Sequence, residues 1–114
     1  LKSSFLSHGD QRKLEIVMAL ALKPKVLLLD EPLAGMGTDE SANVVELIGR
    51  ISKDHCVVLI EHDMDAVFAV ADILTVMVDG LILETGTPER IRDSPRVREA
   101  YLGDESFEAF ESKG

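Results

Sequence analysis

Residues 26–32 read Val-Leu-Leu-Leu-Asp-Glu-Pro, a short apolar run closed by two acids. A strand buried on both faces of a parallel sheet reads as such an unbroken run, because helical crossovers cover both sides. In open α/β sheets, ligands gather beyond the carboxyl ends of the strands. Two adjacent carboxylates at that point are unfavourable unless something uses them. A Mg²⁺ and an attacking water would use both. The plainer alternative is a strand that ends in Asp-Glu before a proline turn.

The run has a second copy. Cys56-Val57-Val58-Leu59-Ile60 is again apolar throughout and is closed by Glu61-His62-Asp63. Around these two runs lie helical patterns. Leu14, Val17, Met18, Ala21 and Leu22 recur at helical spacing, which predicts a helix from about Ser7–Gly9 to Leu22 with that stripe as its apolar face. Pro24 ends it. Thr38 is the expected N-cap of the next helix, with Asp39 and Glu40 in the first turn and Val44, Leu47, Ile48 and Ile51 on one face. A short helix with Met64, Val67, Phe68 and Ala71 follows the second run. Helix, strand, helix, strand, helix is the order of a parallel sheet with helical crossovers, so the fold class is α/β.

Beyond residue 72 the pattern changes. Ile73–Val78 and Leu81–Thr85 are joined by Asp79-Gly80, the strongest short-range hairpin signal. Thr87-Pro88 and Ser94-Pro95 each read as an N-cap followed by proline at N1, opening two short helices, and Gly103 closes the second. Residues 104–114 are acidic and are expected to form a frayed helix or a disordered tail. The expected organisation is one domain over 1–103 followed by that tail.

Composition narrows the partners. The net charge of -9 argues against a nucleic-acid surface, which needs clustered Lys and Arg. It leaves room for a single nucleotide, which needs only backbone N–H groups and one metal. Aromatic residues make up 4%, so the core is expected to be aliphatic. The single Cys56 cannot form an internal disulfide and is expected to be a buried thiol in a reducing compartment. No apolar run reaches the roughly 18 residues of a transmembrane helix, and Leu1–Phe5 is no signal peptide.

The candidate site residues follow from position. Asp30 would hold Mg²⁺ through water, and Glu31 would orient the water that attacks a γ-phosphate. His62 closes the strand expected beside the first and could touch the same phosphate; alone, a histidine there reads as an ordinary strand-end residue. Ser7 and Gly9, at a helix N-terminus, offer a hydroxyl, exposed N–H groups and the positive dipole end to an anion. An ordinary serine cap is the alternative.

Together and in this order, the segments resemble one family. Leu6-Ser7-His8-Gly9-Asp10 resembles the ABC signature motif LSGGQ. Val26–Glu31 resembles Walker B with its catalytic glutamate, Ala34-Gly35-Met36-Gly37 stands at the D-loop, and His62 matches the switch histidine. Glu84-Thr85-Gly86-Thr87-Pro88 matches the turn after the last strand. Over residues 5–102 the chain resembles the C-terminal half of the nucleotide-binding domain of an ABC ATPase. Leu14-Glu15-Ile16, Ala34-Gly35-Met36 and Val97–Gly103 resemble ATP-binding subunits of branched-chain amino-acid importers, with urea or amide importers similar. Three positions depart from the motifs: His8 for the first signature Gly, Asp10 for Gln, and Gly37 for the D-loop Asp.

The resemblance implies an ATPase that couples ATP hydrolysis to transport, with Mg²⁺ and ATP as cofactors. Glu31 and His62 would be catalytic, Asp30 would hold the metal, and Ser7 and Gly9 would bind the nucleotide of a second ATP-binding subunit. Transmembrane permease subunits would be the other partners, on the inner face of the plasma membrane. The alternatives are a soluble ABC-type ATPase of DNA repair or translation, and a non-catalytic remnant.

No G-x-x-x-x-G-K-[ST] occurs in the sequence. In the family that P-loop lies N-terminal to the signature, so the chain is expected to be a piece of a longer subunit, a partial P-loop NTPase sheet without its Walker A half. The family places the Walker A strand between 56–60 and 72–78. Without it, two strand edges are left open. The expectations are self-association, strand exchange or collapse of 72–78 onto 56–60, and no hydrolysis by the chain alone.

Overall fold

The computed structural model describes residues 7–100. The order is α1 (His8–Ala21), β1 (Val26–Asp30), α2 (Thr38–Ile51), β2 (Cys56–Ile60), α3 (Met64–Val70), β3 (Leu74–Val78), β4 (Leu81–Gly86), α4 (Pro88–Asp93) and α5 (Pro95–Ala100). Every expected element is present. The acidic tail and the Gly103 helix end lie outside the described residues. The chain divides after His62 into two compact units.

In the first unit β1 and β2 pair in parallel, from Val26 opposite Cys56 to Asp30 opposite Ile60. Helices α1 and α2 pack on each other. The buried aliphatics are Ile16, Leu27, Leu29, Leu33, Val44, Ile48 and Ile51. The α2 face is the one the sequence predicts, but its N-cap is Gly37 rather than Thr38, and Gly37 supplies no side-chain cap.

Three expectations fail here, for related reasons. On α1 the predicted stripe points outward: Leu14, Val17, Met18 and Leu22 are all exposed. The packed face instead runs through Gly9 and Ile16, with Arg12, Lys13, Ala19 and Leu20 half-buried beside them. Arg12 and Lys13 are half-buried on this face, which residue polarity alone does not reveal. On β1 only Leu27 and Leu29 are buried, while Val26 is 52% and Leu28 62% exposed. The strand is covered on one side, so an unbroken apolar run here has an open apolar face. Cys56 is exposed rather than buried, on the same alternation of β2 that exposes Val58 and Ile60.

The second unit is built on the β3–β4 hairpin. Asp79 and Gly80 both adopt positive φ, 51° and 80°, which the two-residue turn demands. A bulge lies between Val76 and Met77. Met64, Val76, Ile91 and Val97 form the core, with Phe68, Leu74 and Leu83 against it. Asp63 caps α3 by accepting from Ala66 N–H at 3.2 Å. Thr87 caps α4 by accepting from Arg90 N–H at 3.3 Å. The buried Ser94 hydroxyl donates to Glu84 at 2.6 Å, which ties the α4–α5 corner to β4.

Among the described residues β2 pairs only with β1, and β3 only with β4. Strand β2 keeps an outer edge of unpaired N–H and C=O groups, free of charge and proline, which is a template for another strand. In sedimentation velocity at tens of micromolar, the 114-residue chain is expected to run as a dimer or larger. Val58→Lys should shift it toward monomer. A monodisperse wild-type monomer would contradict the open-edge argument.

Candidate functional site

The parallel register brings the ends of β1 and β2 side by side. The ladder continues one residue past β1, where Glu31 N–H donates to Ile60 O at 2.8 Å. Glu31 then takes a left-handed conformation, φ 48°. For a residue with a Cβ this costs about 1–3 kcal/mol, and such strain concentrates where function requires a particular side-chain direction. The chain continues into a turn in which Ala34 N–H donates to Glu31 O at 3.2 Å and Met36 N–H to Leu33 O at 3.2 Å.

The result is a direct contact between two of the predicted residues. His62 Nε2 lies 3.0 Å from Glu31 Oε1. The side chains are 84% and 50% exposed, so the pair adds little to stability and is available to a ligand. Asp30, the last residue of β1, is exposed beside it.

Glu61 holds this arrangement from behind. One carboxylate oxygen accepts from Leu33 N–H at 3.1 Å, and the other accepts from His62 N–H at 3.1 Å. One side chain thus pins both the turn after Glu31 and the backbone of His62. Its place next to His62 is visible in the sequence. Its bond to a residue 28 positions away is not.

Ser7 and Gly9 sit at the α1 N-terminus. Ser7 is the N-cap, and its hydroxyl oxygen accepts from Asp10 N–H at 3.1 Å. Gly9 N–H is already engaged: it donates to the Glu40 carboxylate at 2.7 Å. The expectation of a free N–H at Gly9 therefore needs correcting. Of the positions expected at a D-loop, Ala34 and Gly35 are exposed, Gly35 at φ 77°, Met36 is half-buried, and Gly37 is the N-cap of α2.

Among the described residues no group of three or more His, Cys, Asp or Glu could hold a metal alone. The exposed Asp30 fits a Mg²⁺ that takes its remaining ligands from water and phosphate, the usual way this ion binds, and not an all-protein cage.

A model described as ABC transporter matches residues 1–34, which include Ser7–Asp10 and Asp30-Glu31. A second, described as branched-chain amino acid ATP-binding cassette transporter, matches residues 82–106. The branched-chain amino acid transport ATP-binding protein BraF of Pseudomonas aeruginosa is 44% identical over 101 residues, covering 87% of this chain and 40% of its own length. LivG of Escherichia coli, of the same description, is 43% identical over 105 residues, covering 90% and 41%. The crystal structure of the ADP conformation of an ATP-binding cassette of an ABC transporter superposes with a TM-score of 0.75 at 30% identity, over 90% of this chain and 42% of that one.

The chain belongs to the ABC transporter ATP-binding family. Its fold is part of the P-loop NTPase fold of an ABC cassette. This ABC segment spans about two fifths of the length of the curated relatives it matches, 40% and 41% for the two named. Among the described residues no helix is long and apolar enough to cross a membrane.

Glu61→Ala should release Leu33 N–H and His62 N–H together. Amide hydrogen exchange at Leu33 is expected to accelerate about tenfold or more, the scale of one lost hydrogen bond to a charged group. Unchanged protection would show that Glu61 does not hold the turn.

Proposed function

We propose that this chain is the part of an ATP-hydrolysing, energy-coupling subunit of a branched-chain amino-acid importer that bears the signature, Walker B, D-loop and switch residues. The observation that supports it is the Glu31–His62 contact at 3.0 Å, at the aligned ends of two parallel strands. The solute is inferred from the names of the BraF and LivG relatives.

In this reading Asp30 would hold Mg²⁺. The bound ion would offset the charge on the phosphate oxygens. Glu31 accepts a hydrogen bond from the attacking water and so aims it at the γ-phosphate. His62 Nε2, bonded to Glu31 in this structure, would turn to the same phosphoryl group when it is present, which ties the presence of the phosphate to the release and position of the base. Such positioning accounts for most of the catalysis in phosphoryl transfer.

Ser7 and Gly9 face the nucleotide of a second ATP-binding subunit, and Ala34–Gly37 lie along the contact between the two. Transmembrane permease subunits carry the solute pathway, and the complete subunit works at the inner face of the membrane. Residues 1–103 act as one part of the cassette, with 104–114 as an acidic tail. The net charge of -9 fits a partner set without nucleic acid. The 114-residue chain has no P-loop sequence and by itself neither binds ATP tightly nor hydrolyses it.

Reconstitution tests this. The complete subunit and its permease partners, placed in vesicles with a solute-binding protein, are expected to take up leucine, isoleucine or valine only when ATP is supplied. The 114-residue chain in the same assay is expected to release no phosphate. Uptake of none of the three amino acids, or hydrolysis by the chain alone, would overturn the corresponding part of the proposal.

A further inference from the structure

One carboxylate lies between two elements that the chemistry above leaves unconnected. Glu40 belongs to the first turn of α2, three residues after its N-cap Gly37. In a helix capped by Ser or Thr, an acid at this position bonds back to its own cap residue. Here the cap is a glycine with no side chain, and Glu40 Oε2 instead accepts from Gly9 N–H at 2.7 Å, across 31 residues. That is the short distance of a charge-assisted bond.

The approach is close enough to constrain both residues. A Cβ at position 9 would lie 3.2 Å from Glu40 Cβ and 3.3 Å from its Oε2, tighter than side chains ordinarily accept. Gly9 is buried, and Glu40 is half-buried. The Gly9 N–H and the positive ends of two helices offset the charge of Glu40.

We propose that Glu40 is the resident anion of the α1 N-terminus: it occupies the Gly9 N–H, ties the start of α2 to Ser7–Gly9, and must be displaced before a phosphate can take that N–H. The inference rests on the reading of Ser7 and Gly9 as phosphate-facing. The physical basis is exclusion. One N–H cannot serve a carboxylate and a phosphate at once, and two anions at that distance repel. Ser7 differs from Gly9 in this respect. Its oxygen accepts from Asp10 N–H at 3.1 Å, and its hydroxyl proton remains available to donate. The signature segment is thus held half ready. Its hydroxyl can greet a phosphate, and its backbone N–H becomes available only when Glu40 withdraws. Glu40 is a positioning residue that sets when the Gly9 N–H can receive an anion.

The test uses the 114-residue chain labelled with ¹⁵N-glycine, with inorganic phosphate as the probe. Without phosphate, the Gly9 amide proton resonance is expected well downfield in the wild type. It should move upfield in Glu40→Gln and further in Glu40→Ala, while the other glycine resonances keep their dispersion. This arm does not involve phosphate and is independent of the functional reading. On titration, phosphate is expected to shift the Gly9 resonance of Glu40→Ala at about tenfold lower concentration than in the wild type, as expected when one charge-assisted bond no longer has to be broken. A Gly9 resonance indifferent to both substitutions would overturn the resident-anion assignment. An equal phosphate response in wild type and Glu40→Ala, including none in either, would overturn the competition. Ser7→Ala separates the two layers: if it leaves the phosphate response of Glu40→Ala intact, the phosphate-facing reading of Ser7 fails while the Glu40–Gly9 contact stands.

Discussion

The parallel pairing of β1 with β2 is the interaction on which the rest of the first unit depends. It aligns Asp30 with Ile60 and carries the ladder one step further, from Glu31 N–H to Ile60 O. That last bond fixes where the chain leaves the sheet. It leaves through a left-handed residue, and the turn sends Glu31 toward the end of β2 rather than along its own strand. Without the register, Glu31 and His62 would have no reason to meet. A one-residue slip would reverse the faces of β2 and separate them.

Two carboxylates fasten distant segments around that register. Glu61 pins the turn after Glu31 and the backbone of His62, and Glu40 reaches from α2 to Gly9 on α1. In both cases an acid accepts from a backbone N–H in a distant segment. Such bonds to charged groups are worth more than neutral ones and set geometry more tightly than apolar contact does. The abundance of acids in this chain therefore has a structural side besides any role toward a metal or water.

Much of this was legible in the sequence where the signal is local. The two apolar runs, the Asp79-Gly80 turn and the Thr87-Pro88 and Ser94-Pro95 helix starts depend on neighbouring residues, and each appears where expected. What depends on tertiary cover was not legible. The α1 stripe looked like a packing face by polarity, yet the buried face runs through Gly9 and Ile16, with Arg12 and Lys13 half-buried beside them. Val26 and Leu28 read as buried and are exposed, because one face of β1 has no cover among the described residues. At the candidate site, the sequence named Asp30, Glu31, His62, Ser7 and Gly9 from their places at strand and helix ends. It could not show that Glu31 and His62 touch, nor that Gly9 N–H is already occupied. Those facts depend on register and on side chains 28 and 31 residues away from the backbone groups they hold.

The central claim is that Glu31 and His62 act as one unit on a single phosphoryl group. A double-mutant cycle on the complete subunit tests it most directly, with ATP hydrolysis measured for Glu31→Gln, His62→Ala and the pair together. Residues that act together in one step show strongly non-additive losses. Each single substitution is expected to lower the rate by about a hundredfold or more, the range of a lost acid–base or positioning group. The double substitution should cost little beyond the worse single one. Multiplicative losses, or a His62→Ala subunit that hydrolyses ATP at the wild-type rate, would contradict it.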